Sequence, residues 1–214
     1  MADGPRLRIA VAGFGPFPGV PTNPSGEIVR ALAKKQRFPA SSILLDTAIF
    51  PTAYGAAEAE LAKLIANKPD AIVLFGVAGV AKHIRVETVA RNRASVLFPD
   101  HARFTPRERK LSADGAARLK VRGPAAKIRA AIRATGIRAQ LSINAGSYLC
   151  NAIFYRALAT TAPTNPPPLT FFIHVPPLRA RTFTMGKLIR AGEAAVWAAG
   201  NEALRARFVS RRDG

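Results

Sequence analysis

Three residues stand out for what their side chains could do to a carbonyl group: Cys150, His174 and Glu87. Cys150 is the single cysteine of the chain. It can form no intramolecular disulfide and supply no thiolate metal cluster by itself, so it is either an apolar filler or a reactive thiol. It lies in Asn144-Ala-Gly-Ser-Tyr-Leu-Cys-Asn151, where an apolar strand turns into Ala152-Ile-Phe-Tyr155, and this places it near the start of a helix. Free amides and the positive helix end favour an anion at such a position and can donate to an oxyanion. A small buried cysteine on a core helix would give the same letters.

His174 closes the apolar run Leu169-Thr-Phe-Phe-Ile-His174, whereas His83 and His101 fall in less regular segments. The end of a strand is where a parallel α/β sheet builds its site, so His174 is the candidate base. A histidine merely hydrogen-bonded at a strand terminus is the alternative. Glu87 sits in Ile84-Arg-Val-Glu-Thr-Val-Ala90, an acid among apolar neighbours that needs a partner if buried. His174 is one such partner; an ion pair with Arg85 or Arg91 is the other, and spacing alone leaves both open.

These residues need elements to hold them. Residues 7–12 read as a buried strand running into the turn Gly13-Phe-Gly-Pro-Phe-Pro-Gly19. Asn23-Pro24-Ser25 caps a helix expected to reach about Lys35. Strands are expected over 42–50, 71–75, 84–90, 139–143 and 169–174, and helices over 54–66, 124–135, 149–159 and about 185–208. Residues 92–111 are charged and irregular, an excursion or hairpin outside the main sheet, and the proline-rich stretch 161–168 is a surface loop. Alternating strands and helices imply a largely parallel sheet between helical layers. With neither a repeat nor a long linker, residues 1–214 form one domain.

Composition excludes several classes. No apolar run approaches the roughly 20 residues that a membrane helix needs. The start Met-Ala-Asp-Gly-Pro-Arg lacks the pattern of a cleaved signal, so a cytoplasmic location is expected. The 32 basic and 13 acidic residues give a net charge of +19, which favours polyanions. The basic residues are dispersed, however, and no nucleic-acid motif accompanies them, so no specific nucleic-acid partner is expected. The first turn is not a dinucleotide fingerprint: the third glycine of G-x-G-x-x-G is missing and Pro16 removes an amide that could hold phosphate. Phe14 and Phe17 suggest instead an apolar clamp for a flat ligand, or two core aromatics.

In order along the chain, Gly13-Phe-Gly-Pro-Phe17 with Asn23-Pro-Ser25, Gly76-Val-Ala-Gly79 with Glu87, Ala145-Gly-Ser-Tyr-Leu-Cys-Asn151 and Phe172-Ile-His-Val-Pro176 resemble the pyroglutamyl peptidase I family. The resemblance implies a three-layer α/β/α sandwich with a largely parallel central sheet, of the phosphorylase/hydrolase-like kind. It implies a cysteine peptidase that removes an N-terminal pyroglutamyl residue without metal or cofactor, commonly as a homodimer or homotetramer. The family's triad falls on Cys150, His174 and Glu87, with Phe14 and Phe17 flanking the lactam ring and Asn23 near the pocket. Val77 stands where some members carry glutamine. Val80-Ala81 and Thr88 replace a usual Gly-Arg and Arg, so two family arginines are absent, and residues 91–121 resemble the family poorly. A cysteine hydrolase of the same fold with another acyl or amide substrate, or a non-catalytic polyanion-binding protein, are the alternatives.

Overall fold

The computed structural model describes residues 6–17, 21–35, 43–179 and 182–210. The end of the first turn, at Pro18 and Gly19, the first residue of the expected second strand, Ser42, and residues 1–5 of the expected signal-free start lie outside them.

Six strands form one sheet. In sequence they are β1 (Leu7–Phe14), β2 (Ile43–Phe50), β3 (Ala71–Val77), β4 (Ile84–Glu87), β7 (Ala139–Ser142) and β8 (Leu169–Val175), and across the sheet the order is β2-β1-β3-β8-β4-β7. A separate pair, β5 (Val89–Arg91) with β6 (Arg118–Lys120), is antiparallel. All neighbours in the main sheet are parallel except β4 with β8. β8, the last strand in sequence, therefore sits in the middle, between β3 and β4.

Strands buried on both faces should read as continuous apolar runs rather than as alternation, and β1, β3 and β8 do so, with nearly every residue buried. Helices α1 (Pro24–Ala33), α3 (Ala125–Ala134) and α5 (Met185–Ser210) cover one face, and α2 (Tyr54–Ala66) and α4 (Leu149–Thr160) the other. α1 begins as its letters indicate. The side chain of Asn23 accepts from the Ser25 amide, Pro24 occupies the first turn, and Ile28, Val29 and Leu32 recur on the buried face. Truncating such an aliphatic, Ile28→Ala for example, costs about 2–5 kcal/mol.

Two details depart from the sequence reading. Residues 84–90 are two strands, not one. The chain breaks at Thr88, whose amide and hydroxyl both donate to Ser142 O (2.7 and 2.9 Å) while its carbonyl accepts from Val121 N (2.8 Å), and the following residues leave the sheet to pair with β6. β6 itself, three residues of half-exposed, basic sequence, has no apolar period to announce it. The excursion after β5 is nevertheless ordered. Asn92 donates to Ser112 O and Gly115 O and accepts from the Leu111 and Ser112 amides. Buried Asn151 fixes the same segment to α4 through the Arg91 amide and the Arg91 and Arg93 carbonyls. Among the described residues no helix is long and apolar enough to cross a membrane.

Candidate active site

His174 and Glu87 come together because of strand register. Directly opposed residues project to one face of a sheet, and diagonal neighbours lie within reach of long side chains. Phe172 opposes Glu87 across the antiparallel pair of β8 with β4, so Glu87 lies diagonal to His174 on the same face. His174 Nδ1 and Glu87 Oε1 are 2.9 Å apart, with the carboxylate fully buried and the histidine 5% exposed. Glu87 thus takes His174 as partner rather than Arg85 or Arg91; Arg91 donates instead to Ile143 O. The Phe172 ring, 4.9 Å from the imidazole centroid, packs beside it.

On the other side, Gly76 of β3 opposes His174. It has no side chain because none fits: a Cβ there would lie 2.8 Å from Cys150 Sγ and 2.9 Å from the Phe172 ring. The gap admits Cys150 from the first turn of α4, and its thiol stands close enough to His174 to raise the pKa of the imidazole. The N-cap residue of α4, Tyr148, supplies no side-chain cap, so the first-turn amides keep free donors near the sulfur. Burial, the largest single influence on His174, opposes its protonation. Hydrogen bonds to Cys150 and Glu87 and the charges of both outweigh it, and the imidazole pKa is raised to about 9. Glu87 Oε2 is buried with no hydrogen-bond partner among the described residues, which leaves the imidazolium as the group that compensates this carboxylate.

Cys150 opens into a cavity of about 470 Å³ whose lining includes Phe14, Phe17, Asn23 and Val77, all four of the expected binding residues. Phe14 is 4% exposed and packs edge-on against Phe50 at 5.8 Å. The polar atoms of Asn23 are spent on the loop: Nδ2 donates to Gly15 O (2.8 Å), and Oδ1 accepts from the Ser25 amide and hydroxyl (3.1 and 2.7 Å). Its contribution is therefore to hold the turn that carries both phenylalanines. Gly13 allows this turn to touch α1, since a Cβ there would meet Ser25 O at 2.3 Å.

The lining also includes residues to which sequence reasoning gave no role: Pro99, Asp100, His101 and Tyr148. Asp100, 7% exposed, accepts from the Tyr54 amide through Oδ2 and from the Phe104 amide through Oδ1, both at 2.9 Å, and so caps α2 from a distant loop. Behind it, the Tyr54 hydroxyl is buried without a hydrogen-bond partner among the described residues. Burial, followed by Tyr148, Asp100 and Cys150, pushes its ionisation up. No group of three or more His, Cys, Asp or Glu suited to a metal ion occurs among the described residues.

A thiol beside an imidazole that is itself hydrogen-bonded to a buried carboxylate, at the rim of a mostly parallel sheet and open to a mainly apolar cavity, makes the arrangement of an α/β cysteine hydrolase. Comparison with known proteins narrows the class. The profile described as pyroglutamyl peptidase matches residues 7–188, and the chain belongs to that family. It is 30% identical over 178 residues to the pyrrolidone-carboxylate peptidase of Bacillus subtilis, covering 83% of this chain and 81% of the relative. It is 34% identical over 172 residues to that of Pseudomonas fluorescens, covering 78% of each. Among solved structures it resembles pyroglutamyl peptidase I of Bacillus amyloliquefaciens, with 28% identity, a TM-score of 0.83 and coverage of 92% of this chain and 98% of that one. The pyrrolidone carboxyl peptidase of Thermococcus litoralis is similar too, at 26% identity, a TM-score of 0.82 and coverage of 90% and 93%.

Proposed function

We propose that this chain removes an N-terminal pyroglutamyl residue from peptides through a thioester acyl-enzyme, with Cys150 as nucleophile, His174 as acid and base, and Glu87 orienting the imidazole. The single observation that carries the proposal is the buried Glu87–His174 pair, 2.9 Å apart, set beside Cys150 at the edge of the cavity. His174 takes the Cys150 thiol proton, the sulfur attacks the pyroglutamyl carbonyl, and amides of the first turn of α4 donate to the oxyanion. The imidazolium of His174 protonates the departing peptide amine. Neutral His174 then takes a proton from water as the water attacks the thioester, and returns that proton to the departing Cys150 sulfur. Glu87 fixes the tautomer throughout and offsets the imidazolium charge.

Selectivity follows from desolvation. A lactam carries no ammonium group, so it can leave water for a slot between Phe14 and Phe17, where an ordinary charged N-terminus would lose its hydration without compensation. The acid in the lining, Asp100, already has both oxygens engaged by backbone amides. We further read residues 1–214 as one domain, working in the cytoplasm as a homodimer or homotetramer and needing no cofactor.

A fluorogenic pyroglutamyl amide tests the reaction. The full chain should turn it over, and Cys150→Ala should reduce turnover by roughly 10⁶-fold, the scale on which a lost nucleophile is felt. Turnover that persists in the variant removes the assignment of Cys150. A second reading, the same chemistry on another blocked aminoacyl group, is favoured by Val77 at the cavity wall and by the two replaced arginines: Ala81 is buried, and Thr88 spends its hydroxyl on Ser142. A panel of acylated amino-acid amides separates the two readings.

A further inference from the structure

Beyond the enclosed part of the cavity, the surface displays aromatic area of a kind that soluble proteins usually bury or use. Phe104 is 52% exposed and Phe98, next to cavity-lining Pro99, is 65% exposed. Phe104 rests edge-on against Tyr54 at 6.1 Å, and Tyr54 edge-on against Tyr148 at 5.8 Å. Tyr148 lines the cavity two residues before Cys150. Tyr148, beside the thiol, and Phe104, toward solvent, therefore both lean edge-on against the buried Tyr54 ring, which holds them on one side of the cavity mouth.

The wall is built rather than loose. Tyr148 Oη donates to Pro99 O at 2.9 Å. Asp100 holds the backbone of both Tyr54 and Phe104, and its own amide donates to Phe104 O at 2.8 Å. With both carboxylate oxygens of Asp100 holding backbone amides, the wall offers an incoming group aromatic and apolar surface beside the exposed His101.

Tyr148 lines the same cavity as Phe14, Phe17 and Cys150, so a substrate whose lactam lies between the phenylalanines has its next residue within reach of Tyr148. We infer that Tyr148 and Phe104 form the subsite for the side chain of the residue that follows the pyroglutamyl group, and that this subsite selects aromatic and large apolar side chains. The inference rests on the function proposed above and adds a specificity to it. Edge-to-face contacts with an aromatic side chain, together with the apolar area covered, favour such a residue over a small one. The preference belongs to acylation alone: the leaving peptide departs before the thioester is hydrolysed, so every pyroglutamyl substrate shares one deacylation step.

The experiment compares pyroglutamyl-phenylalanine amide with pyroglutamyl-alanine amide on the full chain, by kcat/KM and by pre-steady-state deacylation. The expected result is about tenfold higher kcat/KM for the phenylalanine peptide, with equal deacylation rates. Phe104→Ala brings the ratio close to one, and Phe104→Lys moves preference toward pyroglutamyl-glutamate amide. Thermal melting confirms that both variants fold. Equal kcat/KM for the two peptides in the unaltered chain, or a ratio that neither variant changes, overturns the subsite and leaves the proposed function standing. Turnover of neither peptide overturns the function, and the subsite with it.

Discussion

Two hollows of nearly equal size lie at opposite ends of the central sheet, and they use charge in opposite ways. At the amino ends of β3 and β8 a cavity of about 480 Å³ is lined by Asp70, Arg207 and Pro166 to Pro168. Its acid is fully engaged: Asp70 accepts from the Arg8 amide (2.8 Å) and from Nε and Nη2 of Arg207 (2.7 and 2.6 Å), which ties α5 to the sheet. At the carboxyl ends the cavity of about 470 Å³ has Cys150 in its wall and, behind it, Glu87 with one oxygen that has no hydrogen-bond partner among the described residues and His174 with a raised pKa. Volume does not distinguish the two. The first settles its charges in multiple hydrogen bonds, and the second sets an imidazole of raised pKa between a buried carboxylate and a thiol.

The strongest way to break this contrast is at Glu87. Glu87→Gln keeps the shape but removes the charge that fixes the imidazole, and kcat/KM for a pyroglutamyl amide should fall by roughly two to four orders of magnitude. The pH dependence must move with it. His174 has a folded pKa raised to about 9, above its ordinary 6.5. Its contribution to stability is therefore complete below about pH 6.5 and is lost as pH rises through about 9. Activity that depends on the imidazolium declines over the same alkaline range. Losing Glu87 lowers the His174 pKa, so both declines should begin at lower pH. Rate profiles and melting curves from pH 6 to 10 check this, and an unmoved alkaline limb would detach Glu87 from the imidazole's charge.

A smaller effect sharpens the other side. Asp70→Asn weakens a charge-assisted cluster at a partly buried place and should cost about 1–2 kcal/mol of stability, read as a lower melting temperature. kcat/KM should stay within about twofold, because the two hollows share no side chain. A large activity loss would show that the ends of the sheet are coupled. The smallest effect belongs to Tyr54→Phe. It deletes a buried hydroxyl that has no hydrogen-bond partner among the described residues, and stability should change by no more than about 0.5 kcal/mol. A greater destabilisation in chemical denaturation would reveal a partner for that hydroxyl.

The long, strongly periodic elements were legible from sequence because burial writes itself into residue order. The apolar runs of β1, β3 and β8 and the capped start of α1 are of this kind, and the helix expected over 54–66 matches α2. The meeting of Glu87, His174 and Cys150 was expected from the order of the family motifs, not from spacing, since register across β4, β8 and β3 cannot be read locally. Thr88 hid the break between β4 and β5: a β-branched residue suits a strand, and only its bonds to Ser142 show that the chain turns there. The wall around Asp100 was illegible for a similar reason. Its position depends on single polar side chains, Asn92, Asp100 and Asn151, each gripping distant backbone, and such hydrogen bonds leave no periodic trace.

The central place of β8 bears on how the chain must assemble during synthesis. When a ribosome has delivered residues up to 160, β3 and β4 are already made but lack the strand that separates them, so two open edges wait in the middle of the sheet. Only the emergence of residues 169–175 fills the slot, and the same insertion carries His174 between Gly76 and Glu87. Closing the sheet and bringing a base beside the thiol are thus one late event, and a nascent chain released before that point has neither a closed sheet nor a base beside its cysteine.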